Sequence, residues 1–127
     1  MKLEHVAINV PDAQAAAKWY AENLGLRIML SSDQTPYMTF VGDEDGSMIE
    51  LYTRTDVAPP DYAAINPFNL HLAFAEEDIE TRRDALVAAG ATVVGDITTT
   101  PEGNRLLFLR DPWNVPLQLV KRKEPLA

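Results

Sequence analysis

His5-Val6-Ala7-Ile8 and His71-Leu72-Ala73-Phe74 are two versions of one short strand, 66 positions apart (71 minus 5). A second pair, Gly46-Ser-Met-Ile-Glu-Leu-Tyr-Thr-Arg54 and Asn114-Val-Pro-Leu-Gln-Leu-Val-Lys-Arg122, recurs at an offset of 68 (122 minus 54). Two nearly equal offsets in one chain mean that a single supersecondary unit is used twice, which constrains the whole fold.

The order of elements between these anchors agrees in both halves. Each half opens with a strand and continues into a helix that stops at a glycine, Leu24-Gly25-Leu26 in one and Ala89-Gly90-Ala91 in the other. Pro11 and Asp12 read as the start of the first helix, with Ala15, Ala16, Ala17, Trp19, Tyr20 and Leu24 along it. The second is expected from about Glu77 to Ala89, with Ile79, Leu86 and Val87 in the matching places and acidic residues favouring its first turn. Three alternating segments follow each helix: 27–32, 37–41 and 47–53, then 92–99, 105–110 and 115–121. Turn-forming clusters such as Asp43-Glu-Asp-Gly46 and Asp111-Pro-Trp-Asn114 separate them. The expected fold is therefore α+β, two βαβββ modules, about 1–54 and about 68–123, joined by a Pro-containing linker at about 55–67 within one domain of 127 residues.

Period-two counting sorts the faces of these strands. In the opening strand, read as Lys2 to Val10, the residues Val6, Ile8 and Val10 are expected to meet the helix, leaving His5, Ala7 and Asn9 on the other face. The same count sets His71 apart from Leu70, Leu72 and Phe74, Glu50 apart from Ile49 and Leu51, and Gln118 apart from Leu117 and Leu119. A carboxylate in the middle of a strand costs several kcal/mol to bury unpaired, so Glu50 calls for a cation, a hydrogen-bonding network or water. The chain has two histidines and no cysteine. Both histidines fall at equivalent repeat positions, and the last strand of each module carries an oxygen donor at a matching place. This constellation predicts a divalent metal bound by His5, Glu50, His71 and Gln118, with zinc, nickel, cobalt, manganese and iron all suited to mixed imidazole and oxygen donors. Tyr37, Phe40, Met48, Tyr52 and Phe68 alternate either as a ligand pocket or as barrel core, and core is the expectation on packing grounds.

Bulk composition narrows the partners. The net charge is −8, which repels nucleic-acid phosphates and anionic membranes. The cationic run Lys121 to Lys123 is read as a solvated strand end. No apolar run could span a bilayer and no signal-peptide pattern opens the sequence, so a soluble, cytoplasmic protein is expected.

Leu-Glu-His-Val-Ala, Met-Ile-Glu-Leu, Asn-Leu-His-Leu-Ala and Asp-Pro-Trp-Asn-Val-Pro-Leu-Gln-Leu together resemble the vicinal oxygen chelate superfamily, which contains glyoxalase I, methylmalonyl-CoA epimerase, extradiol dioxygenases and bleomycin-resistance proteins. The resemblance implies a half-open barrel of two βαβββ modules around one metal. It places His5, Glu50, His71 and Gln118 at the four ligand positions, the first three of them like bacterial glyoxalase I, which has a second Glu where this chain has Gln118. The activity implied is a glyoxalase-like lyase or isomerase acting on a small molecule that chelates through vicinal oxygens. Since an amide cannot accept a proton, Glu50 is the catalytic base expected beside the metal. No Lys or Arg cluster obviously receives a tripeptide's carboxylates, and Arg27 and Arg105 are the candidates that remain. The alternatives are metal-free small-molecule binding and non-haem iron dioxygenase chemistry. Extradiol dioxygenases carry their Glu on the last strand, whereas here it lies on the fourth. A homodimer is also expected, because open modules leave strand edges to be covered.

Overall fold

A computed structural model describes residues 1–126 of the chain. It resolves into two compact units, Met1–Pro60 and Asp61–Ala127, each with its own sheet. The first contains β1 (Val6–Asn9), α1 (Ala13–Asn23), β2 (Arg27–Ser31), β3 (Thr39–Gly42) and β4 (Met48–Tyr52). A 3₁₀ turn at Tyr62–Ala64 opens the second, followed by β5 (Leu72–Ala75), α2 (Ile79–Ala88), β6 (Thr92–Thr99), β7 (Arg105–Arg110) and β8 (Pro116–Lys121). The order βαβββ thus occurs twice.

Both sheets have one topology. Their strand orders are β1-β4-β3-β2 and β5-β8-β7-β6, so the opening strand of each unit pairs in parallel with its last and the rest run antiparallel. The parallel pairing needs a crossover, and the helix supplies it. Asp12 caps α1 by accepting from the Ala15 amide at 3.0 Å, and Asp78 caps α2 by accepting from the Thr81 amide at 3.1 Å. Each helix then stops at a glycine with positive φ, Gly25 at 69° and Gly90 at 105°, a conformation that costs other residues a Cβ clash.

Helical spacing explains what is buried. Ala13, Ala16, Ala17 and Tyr20 lie at i, i+3, i+4 and i+7 on one face of α1, and all four are buried. Their partners in the first unit include Ile8, Val10, Val41 and Leu51, while Ile79 and Leu86 of α2 are buried in a unit whose core includes Leu107, Leu109, Leu117 and Leu119. Two expected core members stay outside: Val87 is 47% exposed and Val6 44%. α1 packs chiefly on β3 and β4, so the entry to β1 is beyond its cover.

The turn before the last strand is built alike in both units. Asp43 Oδ1 accepts from the amides of Asp45 and Ser47, both at 2.9 Å, and Asp111 Oδ1 accepts from those of Trp113 and Val115, also at 2.9 Å. Gly46 and Asn114 hold the same left-handed position in these turns, with φ of 93° and 69°. The aspartates thereby fix where β4 and β8 begin, and so where Glu50 and Gln118 stand. Among the described residues, no helix is long and apolar enough to cross a membrane.

Candidate metal centre

The strand ladders begin one residue after each histidine, at Val6 opposite Ile49 and at Leu72 opposite Leu117. His5 and His71 therefore lead into β1 and β5 instead of lying within longer strands, as the sequence pattern suggested. Their relation to the last strand is nevertheless set by register. Ala7, two residues after His5, lies opposite Glu50, and Ala73, two residues after His71, lies opposite Gln118. A period of two keeps the members of each set on one face.

Phe40 and Phe108 complete the two sets. Register places Phe40 opposite Glu50 and Phe108 opposite Gln118, at the same offset of 68 (108 minus 40). Each phenylalanine meets its histidine edge to face, with ring centroids 5.1 Å apart for His5 and Phe40 and 5.2 Å for His71 and Phe108. Such contacts hold an imidazole ring in orientation. Phe68 adds a further edge contact to Phe108 at 5.2 Å, although it is 82% exposed. Tyr37, Phe40, Met48 and Tyr52 are half-buried. Phe40, Met48 and Tyr52 lie on the side of the sheet away from the helix, and of the five residues expected in a barrel core Phe68 is the one that is largely exposed.

Hydrogen bonds decide which nitrogen each histidine offers. His71 Nδ1 lies 2.7 Å from the Pro67 carbonyl oxygen, which can only accept, so Nδ1 is the donor and in the neutral tautomer Nε2 is the nitrogen with the lone pair. His5 Nδ1 lies 2.6 Å from Glu4 Oε1, and an ionised carboxylate likewise leaves Nε2 as the free donor atom. That Nε2 faces Glu50 Oε2 at 3.6 Å, too far for a hydrogen bond. The gap suits a shared cation, because two ligand atoms each about 2.1 Å from a tetrahedral metal are roughly 3.4 Å apart. Glu4 and the Pro67 carbonyl are second partners of the kind that orient metal-bound imidazoles. The acidic residue directly before His5 is the one sequence signal for them.

His5 and Glu50 in one unit are thus spaced as two ligands of a divalent metal would be, while His71 and Gln118 in the other are related by strand register. No group of three or more His, Asp or Glu side chains able to hold a metal is gathered among the described residues. Arg105, one of the two arginines that remained as candidates for a substrate's carboxylates, is committed elsewhere: Glu80 of α2 binds both of its terminal nitrogens, one at 3.2 Å and the other in a shorter contact. This ion pair, chiefly through its hydrogen bond, holds the Glu80 carboxyl down at about 2.

Residues 2–119 match the model of the glyoxalase/bleomycin resistance protein/dioxygenase superfamily. The chain belongs to that superfamily. A lactoylglutathione lyase from Haemophilus influenzae is 25% identical to it over 128 residues, covering 97% of this chain and 94% of the relative. An ethylmalonyl-CoA/methylmalonyl-CoA epimerase from Cereibacter sphaeroides is 32% identical over 116 residues, covering 85% and 87%. The crystal structure of a glyoxalase family protein from Bacillus cereus superimposes with a TM-score of 0.81 at 21% identity, over 95% of this chain and 93% of that one. The double βαβββ order read from the repeat, which the resemblance implied to be glyoxalase-like, is thus the fold of the chain.

Proposed function

We propose that this superfamily member is a metal-dependent lyase or isomerase of glyoxalase type, acting on a small molecule that presents two vicinal oxygens. His5, Glu50, His71 and Gln118 are the proposed ligands. The observation that carries this reading is the 3.6 Å separation of His5 Nε2 and Glu50 Oε2, with His5 Nδ1 already occupied by Glu4. Relatives named as a lyase and an epimerase support the reaction class.

A bound divalent metal would supply Lewis-acid polarisation of the substrate oxygens. The chain's own part is to orient the substrate and to move a proton. Glu50 is the base, because its second oxygen, Oε1, is free to take up and return a proton while Oε2 faces His5. Gln118 can donate its carbonyl oxygen to a cation but has no basic atom. A mechanism that passes the proton between two metal-side carboxylates is therefore not available here, and one carboxylate must serve both directions. Phe40 and Phe108 keep the imidazoles in place while this happens.

We further propose a homodimer. The edge strand β2 leaves Ile28, Met29 and Leu30 between 48% and 55% exposed, apolar edge surface of the sort that a second copy covers.

The test is elemental analysis of protein purified without a chelating tag, beside His5→Ala and His71→Ala. About one metal per chain, lost in both variants, is the expected result. Absence of metal after reconstitution would transfer the proposal to metal-free ligand binding.

A further inference from the structure

Beyond Gln118, the same face of the second sheet continues into a groove of about 410 Å³. Ala73 and Ala75 of β5 and Val120 of β8 line it, and Ala75 lies opposite Val120 in the ladder, one alternation beyond the Ala73–Gln118 pair. Pro125 and Leu126, which follow β8, add apolar surface. Small side chains on two adjacent strands leave open space where larger ones would fill it. The groove thus begins at Ala73, the ladder partner of Gln118.

Three charged residues also line this groove: Glu76, Glu77 and Arg122. Both carboxylates have cations of their own. Glu76 Oε2 lies 2.6 Å from Arg82 Nε, and Glu77 Oε2 lies 3.5 Å from Lys121 Nζ. Burial alone would raise the Glu76 carboxyl, but the hydrogen bonds from Arg82 and from the Asp78 and Glu77 amides outweigh it, and the group is held below its ordinary value. It stays ionised and bound to Arg82. The Arg122 side chain, in contrast, makes no hydrogen bond or ion pair among the described residues.

The internal repeat supplies the comparison that gives this weight. Arg54 holds the position of Arg122 in the first module, at the offset of 68 (122 minus 54). There the guanidinium is locked by Asp56 in a two-point contact, at 2.7 and 2.5 Å. The same offset puts Glu124 at the place of Asp56 in the second module, and it forms no ion pair with Arg122. One arginine is thus satisfied internally and its equivalent is left open beside an apolar groove, in a chain of net charge −8.

We propose that this groove binds the far end of an elongated substrate, an acyl chain ending in a carboxylate, with Arg122 as the residue that recognises the anion. Four residues along a strand from Gln118 to Arg122 span roughly 13 Å, and the flexible arginine can reach back over part of that distance. A head group at Gln118 and a carboxylate at Arg122 are then separated by a chain of about eight carbons. A planar guanidinium binds a carboxylate through two parallel hydrogen bonds, which selects it over a neutral chain end. The inference rests on the proposed ligand set for the head group and adds the class of substrate to it.

Octanedioate and octanoate are the probes for the groove alone, titrated into metal-free protein at fixed low salt and followed by NMR at the Arg122 Nε–H and the Ala73 and Ala75 amides. Octanedioate is expected to shift these signals saturably. The Arg122→Gln variant should weaken that binding about tenfold or more, Arg122→Lys should restore part of it, and Arg54→Gln should leave it unchanged. No shift in the wild type, or equal binding in Arg122→Gln, would overturn the inference. The metal-loaded protein is then titrated with 2-oxooctanedioate and 2-oxooctanoate. If the first binds better only through Arg122, and both gain equally from metal, head and tail act as proposed. If the octanedioate shifts persist but metal adds nothing to either 2-oxo acid, the groove stands and the chelation reading fails.

Discussion

His5 Nδ1 and Glu4 Oε1 lie 2.6 Å apart, whereas His71 directs its Nδ1 at a neutral backbone carbonyl, that of Pro67, 2.7 Å away. The two histidines occupy equivalent places in the repeat, yet a carboxylate makes one imidazole the stronger donor to a metal. Leu70 stands where Glu4 would be in the second module. Partners of this kind typically contribute about 10- to 100-fold in metal affinity, the lower figure being expected for an exposed carboxylate. Glu4→Ala should thus weaken metal binding about tenfold in competition with a chromophoric chelator, and Leu70→Ala should not. Equal affinities in the two variants would remove Glu4 from the site.

Glu50→Gln separates holding the metal from moving a proton. The amide keeps an oxygen donor at the same place opposite Ala7, and in doing so copies Gln118 opposite Ala73. Turnover should be abolished while elemental analysis still finds most of the metal. Retained turnover would exclude Glu50 as the base.

Asp111 is 2% exposed and accepts from the Trp113 and Val115 amides, the latter in a buried bond. Asp43 makes the same pair of bonds in a half-buried setting. An amide left without a partner costs about 1–3 kcal/mol when buried and less when water can reach it. Asp111→Ala should accordingly lower the urea midpoint more than Asp43→Ala, even though the two turns are built to one pattern.

Leu51 and Leu119 are also equivalent, and both are essentially fully buried, at 0% and 1% exposure. Truncation of either to alanine should cost about 2–5 kcal/mol in equilibrium unfolding, from lost burial and the cavity left behind.

The Glu80–Arg105 pair makes a prediction for pH. Its carboxyl titrates at about 2 in the folded chain against an ordinary 4.5. A depressed carboxyl contributes stability above its unfolded value, and that contribution fades as pH falls from about 4.5 toward 2. The pair is solvent-exposed, so the effect on global stability is small and the direct observable is the titration of Glu80 itself. Carbon-detected NMR should show its midpoint return to near the ordinary value in Arg105→Gln. An unchanged midpoint would mean that the pair is not formed in solution.

The sequence by itself determined the double βαβββ order, the two helices with their glycine stops, and the identity of the polar residues that interrupt apolar strands. These are legible because they rest on local rules: period two in strands, period 3.6 in helices, and the left-handed conformation that glycine alone adopts freely. Repetition then turned two histidines, each ordinary when taken alone, into a matched pair.

Only the tertiary structure decided what those residues touch. Strand length was overread at Lys2 to Val10 because alternation continues past the last ladder bond, which depends on a partner strand rather than on the residues themselves. Alternation likewise could not say that Tyr37, Phe40, Met48 and Tyr52 are only half-buried and Phe68 largely exposed, since it separates two faces without showing how fully the face away from the helix is covered. In the sequence Arg105 reads as a candidate for a substrate's carboxylates and Arg122 as part of a solvated strand end. Glu80, 25 positions away from Arg105, occupies the first, and the second has no side-chain partner among the described residues, because ion pairing depends on distance in space and the sequence records only distance along the chain.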